Sequence, residues 1–142
     1  MKIVFDTNIL ARAHQRATGA ARRALLHSAA GPHTLITSSF ILAELERVLT
    51  YPRLLKRSGL SPTDIAEYLE NLSAISQLVE PIAVPSDLLR DPNDEAILGT
   101  ALAARADVLC TLDAHLREAG VQIFARISGT RIVTDLELLN LL

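Results

Sequence analysis

One cysteine, no tryptophan, three phenylalanines and two tyrosines occur among 142 residues. The single thiol, Cys110, excludes an internal disulfide and a Cys-rich zinc site, and it fits a reducing cytoplasm. Long apolar runs are missing too. His27–Ala43 carries no Asp, Glu, Lys or Arg, yet Gly31-Pro32-His33 and several Ser and Thr interrupt it. A bilayer span takes about 20 consecutive apolar residues, so no membrane segment is expected. The chain does not open on a basic stretch followed by an apolar one, which argues against a cleaved signal peptide. Six Gly and six Pro are too few for a collagen-like or Pro-rich chain. Neither a Gly-rich phosphate loop nor a G-x-S-x-G elbow is present, which disfavours P-loop and α/β-hydrolase chemistry. The four histidines, His14, His27, His33 and His115, share no metal-ligand spacing.

What is present is a globular composition, 49% hydrophobic and 21% charged, of a length suited to one domain over residues 1–142. Net charge is −2, but it is distributed unevenly. Residues 1–57 hold nine Lys and Arg against three acids, leaving +6; the remainder holds five against thirteen, leaving −8. A basic surface beside an acidic site is one consequence; the other is an ordinary surface on which the charges mix.

Strand and helix signals alternate along the chain. Lys2–Phe5 reads as a buried strand, and Asp6-Thr7-Asn8 supplies capping residues before Ile9-Leu10-Ala11. Ala20–Ala30 reads as a helix stopped by Gly31-Pro32, and Leu35–Thr37 as a second strand. Ser38 or Ser39 caps a helix over Phe40–Thr50, ended by Tyr51-Pro52. Ser61-Pro62-Thr63-Asp64 opens a helix whose apolar residues Ile65, Leu69, Leu72, Ile75 and Val79 repeat at helical spacing. Ile82–Val84 is a short extended piece between prolines. Asp91-Pro92-Asn93-Asp94 opens a helix over Glu95–Arg105, with Ile97, Ala101 and Ala104 facing inward. Val108–Thr111 and Ile132–Thr134 complete the strands, and Asp135 caps a Leu-rich C-terminal helix. This alternation predicts an α/β fold with a parallel sheet covered on both faces.

Four carboxylates stand out from the solubilising acids of the helix surfaces. Asp6 and Asp113 follow apolar strands, where open α/β sheets bind ligands. Glu44 borders the apolar face formed by Ile41, Leu45, Val48 and Leu49. Glu46 lies about 200° away around the same helix and points elsewhere. Arg47 is three residues from Glu44 and within reach of it. Asp94 is the third residue of its helix, near the positive dipole end. Carboxylates converging on one point repel unless cations sit between them. Hard divalent ions with oxygen ligands suit such a set; Mg²⁺ takes one or two carboxylates and keeps its waters. Two ions about 3.5–4 Å apart serve phosphodiester hydrolysis.

Asp6-Thr7-Asn8 after the first strand resembles the opening motif of PIN-domain nucleases. Glu44, within Ile41-Leu42-Ala43-Glu44-Leu45-Glu46-Arg47, resembles their mid-chain acid. Asp91-Pro92-Asn93-Asp94-Glu95-Ala96, followed by an Ala-rich helix and Leu109-Cys110-Thr111-Leu112-Asp113, resembles their C-terminal acidic pair. The acids are separated by 38, 50 and 19 residues, and the resemblance spans the whole chain. It implies a three-layer PIN-like fold with a central parallel sheet of about five strands between helices. It implies cleavage of RNA with Mg²⁺ or Mn²⁺ held by Asp6, Glu44, Asp94 and Asp113. Asp91 is either a helix cap or a further metal contact. Asn8 is expected to order the loop after Asp6, and Thr111 to support Asp113 by hydrogen bonding. The small single-domain members include VapC-like toxins of toxin–antitoxin pairs, so the resemblance also implies a small cognate antitoxin and a homodimer.

With 4% aromatic residues, base stacking cannot dominate RNA recognition. Backbone contacts through Arg12, Arg16, Arg47 and Arg53 are expected instead, with Arg22, Arg23, Lys56 and Arg57 as further cations. Two other readings stand beside the nuclease: a catalytically silent PIN-like module binding RNA or protein, and a phosphoryl-transfer enzyme on the same acids.

Overall fold

A computed structural model describes residues 1–142. The elements run β1 (Lys2–Phe5), α1 (Thr7–Arg12), α2 (Ala20–Ala30), β2 (Thr34–Thr37), α3 (Ser39–Leu49), α4 (Pro52–Ser58), α5 (Pro62–Ile75) and β3 (Ser76–Leu78). They continue with α6 (Pro92–Ala103), β4 (Val108–Cys110), α7 (Ala119–Ile127), β5 (Arg131–Val133) and α8 (Asp135–Leu141). The five strands form one parallel sheet in the order β3-β2-β1-β4-β5.

The order follows from burial. Ile3, Val4 and Phe5 of β1, and Val108, Leu109 and Cys110 of β4, are all buried. A parallel strand covered on both faces needs such an unbroken apolar run, and these two lie side by side at the centre. Helix α6 packs across β1, β2 and β4, while α2 packs on β2 and on α8. The chain lays β2 and β3 to one side of β1, then crosses back to place β4 and β5 on the other. The strand order therefore reverses between β1 and β4, and the crevice at their carboxyl ends is the expected ligand position in such sheets.

Helix starts are built as the residues dictate. Ser38 caps α3 by accepting from the Ile41 N–H. Ser61 and Asp64 form a reciprocal capping box at α5. At α8 the cap is Thr134, in a box with Glu137, rather than Asp135, which is already the first helical residue. Leu138 of α8 is fully buried, while Leu136 stays on the surface.

Two elements depart from the sequence reading. The helix expected to reach Val79 ends at Ile75, and the chain passes directly into β3 at Ser76. Ile82–Val84, expected to be extended, lies outside the sheet. Strand β3 is an edge strand and mostly exposed, so it needs no apolar run to hold its place beside β2. The Ile82 N–H is used elsewhere: it donates to the Gly99 carbonyl of α6 at 3.2 Å. Gly99 permits that approach, because a Cβ there would lie 2.3 Å from the Ile82 carbonyl oxygen. The segment between β3 and α6 is thus strapped onto α6 before it delivers Asp91. Helices α4 and α7 are further differences, neither of them in the sequence reading; α4 is a short addition after Tyr51. Its signals are Pro52 at the first position and Gly59 just past the end, left-handed at φ +69°.

Candidate active site

Asp6 follows β1 at the centre of the sheet, and its N–H donates to the Cys110 carbonyl of β4 at 2.9 Å. It occupies the cap position of α1, yet its side chain caps nothing. The Asp6 carboxylate instead accepts from the Thr111 hydroxyl, Oδ2 to Oγ1 2.6 Å. The same Thr111 oxygen accepts the N–H of Asp113 at 2.9 Å. The loop is closed further on: Asp113 Oδ1 accepts from the His115 N–H at 2.7 Å. Asn8 Oδ1 accepts from the Leu112 N–H at 3.3 Å and ties α1 to the loop after β4.

Glu44 and Asp94 arrive from the two helices beside this crevice. Ile41, Leu45 and Leu49 bury one face of α3, and Glu44 sits on its border, part-buried. Arg47 holds Glu44 with two bonds, Nη2 to Oε1 at 2.5 Å and Nε to Oε2 at 3.2 Å. Arg47 also contacts the Tyr51 hydroxyl. Glu46 is exposed. Asp94 is 7% exposed on the first turn of α6. Asp91 caps that helix, its Oδ1 accepting from the Asn93 N–H at 2.9 Å.

Asp6, Glu44, Asp91, Asp94 and Asp113 all line one open pocket of about 230 Å³, with Phe40, Val48 and Ile97 as its apolar wall. The Thr7 hydroxyl, also in the wall, is buried without a hydrogen-bond partner. The electrostatic result is strain of one sign. Burial, then the charges of Asp113, Asp91 and Asp6, push the Asp94 carboxyl up to about 6. Burial also raises Asp6, opposed by the Thr111 hydrogen bond and reinforced by Asp113.

The donor chemistry fits a hard divalent cation: every ionisable group of the pocket is a carboxylate, and the two buried ones, Asp6 and Asp94, are raised by burial and by their like-charged neighbours. No three Asp, Glu, His or Cys side chains are gathered closely enough to hold one ion by themselves.

Other expectations resolve differently. Arg12 and Arg16 line a neighbouring cleft, and Arg47 is engaged by Glu44. Arg53 lines neither pocket. Cys110 is buried in β4, and burial pushes its thiol far up, which leaves it inert. The sequence reading names Ser38 only as a candidate cap and passes over Thr100; both are fully buried, and their hydroxyls lie 3.1 Å apart. This pair joins the helix of Glu44 to the helix of Asp94. A Thr amid the apolar Ile97, Ala101 and Ala104 is the signal that marks it.

A family model described as PIN domain matches residues 2–115. No curated protein sequence matches the chain significantly. Among solved structures, the chain is similar to a chain of VapBC2 from Rickettsia felis, crystallised with a DNA fragment from the promoter. The TM-score is 0.58 at 17% identity, over 94% of this chain and 98% of that one, a likeness of fold. No helix is long and apolar enough to cross a membrane.

Proposed function

This chain belongs to the PIN-domain family, and from that membership we propose that it is a metal-dependent endoribonuclease, the toxin of a toxin–antitoxin pair. The observation that supports the reading is the common pocket of Asp6, Glu44, Asp94 and Asp113, at the point where the strand order reverses. One or two of Asp6, Asp94 and Asp113 would hold Mg²⁺ or Mn²⁺ directly and the others through its waters, with Glu44 joining them once Arg47 lets go of it, and Asp91 at the rim. When bound, such an ion activates water and stabilises the leaving oxygen of a phosphodiester. Thr111 fixes the Asp6 carboxylate and the Asp113 backbone in one arrangement. Asn8 braces the loop that carries Asp113.

RNA is the proposed substrate and the cytoplasm the proposed location. The fold likeness to VapBC2 supports a small antitoxin as partner. A homodimer belongs to the same reading, with Leu136 and Leu141 of α8 left exposed to form an apolar contact. Sequencing of RNA ends after induced expression tests the activity: discrete new ends that vanish in the Asp6→Asn variant are expected. Uncut RNA, with purified protein in saturating Mn²⁺ equally inactive, would sink the nuclease reading. Sedimentation that finds only monomer at high concentration removes the dimer.

A further inference from the structure

A second cleft, of about 580 Å³, opens beside the acidic pocket, and Asn8 and Val48 line both. Its charge is the reverse. Arg12, Arg16 and Arg57 line it together with His14, and no carboxylate does. Arg12 and Arg57 take part in no ion pair, and Arg16 reaches only Asp64, at 3.5 Å. Burial, then the nearby Arg22 and Arg16, hold the His14 pKa below its ordinary value. Between the guanidinium groups the wall is apolar, formed by Ala11, Leu49 and Leu54.

Unpaired guanidinium groups around an apolar floor suit a ligand with repeated negative charges and flat uncharged parts between them. A splayed single strand of nucleic acid has that form, because its unstacked sugars and bases alternate with phosphates. Arg matches phosphate oxygens with two parallel donors. A duplex, whose bases are stacked inside, would leave the apolar floor unused.

We propose that this cleft is the backbone subsite for single-stranded RNA, in which Arg12 and Arg57 grip the phosphates flanking the scissile bond. The choice of strand rests on the ribonuclease reading above. The acidic pocket repels phosphate, so the chain must be held by cations next to it, and the cleft is the cationic surface that shares its rim. Held there, the strand enters the pocket past Asn8 and Val48, and its direction of approach is set by α1 and the end of α4.

The test measures binding of a short fluorescent single-stranded RNA of mixed sequence, in EDTA so that no cleavage occurs, over a range of salt. Arg12→Gln and Arg57→Gln are each expected to weaken binding about tenfold. The double variant is expected to flatten the salt dependence by about 1.4, at about 0.7 per phosphate contact for a single strand. Arg126→Gln, on the exposed face of α7, should change neither. Stabilisation by Mg²⁺ should be the same in all variants, because the acids are untouched. Affinity and salt slope unchanged in the double variant would overturn the proposal, as would an equal loss in Arg126→Gln. Polyglutamate binding as tightly as RNA, and lost in the same variants, would overturn it by assigning the cleft to an acidic protein segment. RNA bound here but never cut in Mn²⁺ would remove the nuclease reading and support the subsite. Cutting with unaltered affinity in both Arg variants would do the reverse.

Discussion

The Thr111 hydroxyl joins Asp6 to Asp113: it donates to the Asp6 carboxylate at 2.6 Å and accepts the Asp113 N–H at 2.9 Å. The two acids belong to loops 107 residues apart in the chain, brought together by the pairing of β1 with β4. One hydroxyl thus sets the spacing of the central carboxylates, and it also lowers the cost of keeping Asp6 ionised while buried.

Thr111→Val keeps the shape and removes the hydroxyl. The buried Asp6 carboxylate then loses its hydrogen bond, and the protein is expected to lose about 1–3 kcal/mol of stability at neutral pH. Metal affinity or cleavage should fall about 10–100-fold, the usual cost of losing an outer-shell partner. Thr111→Ser should restore most of both. Thermal melts and Mn²⁺-dependent cleavage on the three proteins check it; a Val variant as active as the parent would show that Asp6 needs no such support.

Gly99→Ala places a methyl group against the Ile82 carbonyl, at a separation no real Cβ tolerates. Either α6 or the strap before Asp91 must move. A loss of about 1–3 kcal/mol is expected, the range for overpacking. Because the strap leads to Asp91 and Asp94, Mg²⁺ should also stabilise the variant less than the parent. An unchanged melting temperature would mean that the strap is not held on α6 in solution.

The centre of the fold was legible because burial on both faces demands unbroken apolar strands, and Ile3–Phe5 and Val108–Cys110 supply them. The capping boxes at Ser61 and the stop at Gly31 are local chemistry and read directly. The edge strand was not legible: Ser76-Gln77-Leu78 is held by β2 alone and carries no strand pattern. The four acids could be picked out as strand-end and helix-start residues, and the structure brings them to one pocket. The nearby partners were legible as well, Arg47 beside Glu44 and Thr111 beside Asp113, but the partners across the sheet were not. That Asn8 braces Leu112, or that Thr111 reaches Asp6, depends on side chains meeting across the sheet, which no local spacing encodes.

Asp6→Asn and Glu46→Gln separate the mechanism from the surface. The first removes a charge from the buried end of β1 and is expected to cut RNA cleavage at least 100-fold, since an error near 1 Å alone costs about that much. The second alters an exposed residue outside the pocket and should stay within about 0.5 kcal/mol of the parent in stability, with cleavage nearly intact. Matched melts and rates at saturating and sub-saturating Mn²⁺ decide it. If Asp6→Asn cuts as fast as the parent at both, the carboxylate–metal mechanism is wrong. If both variants fail together, α3 presents a different face to the site than its burial indicates.

Asp94 gives the protein a stability that depends on pH and on metal together. Its folded pKa is raised to about 6 by burial and by Asp113, Asp91 and Asp6, whereas an unfolded Asp titrates near about 3.9. Below about pH 4 the residue is protonated in both states and contributes nothing. Between about pH 4 and about 6 the folded state keeps the proton that the unfolded state loses, so this contribution falls as pH rises, and above that window the penalty is complete. Asp64 works in the opposite sense: its carboxyl is lowered by the Ser61 backbone and side-chain hydrogen bonds, and its contribution is lost in acid. The Asp94 share is therefore read as the difference between the parent and Asp94→Asn. The variant should be the more stable of the two at neutral pH without metal, and equal to the parent near pH 4. Mg²⁺ favours the ionised carboxylates, so it should raise the parent's melting temperature well at about pH 7.5 and little at about pH 5. In Asp94→Asn that gain should shrink at neutral pH. Melting curves across this range, with Mg²⁺ and with EDTA, carry the test. A Mg²⁺ gain that is the same at both pH values, or the same in the variant, would mean that the ion binds somewhere other than among these acids.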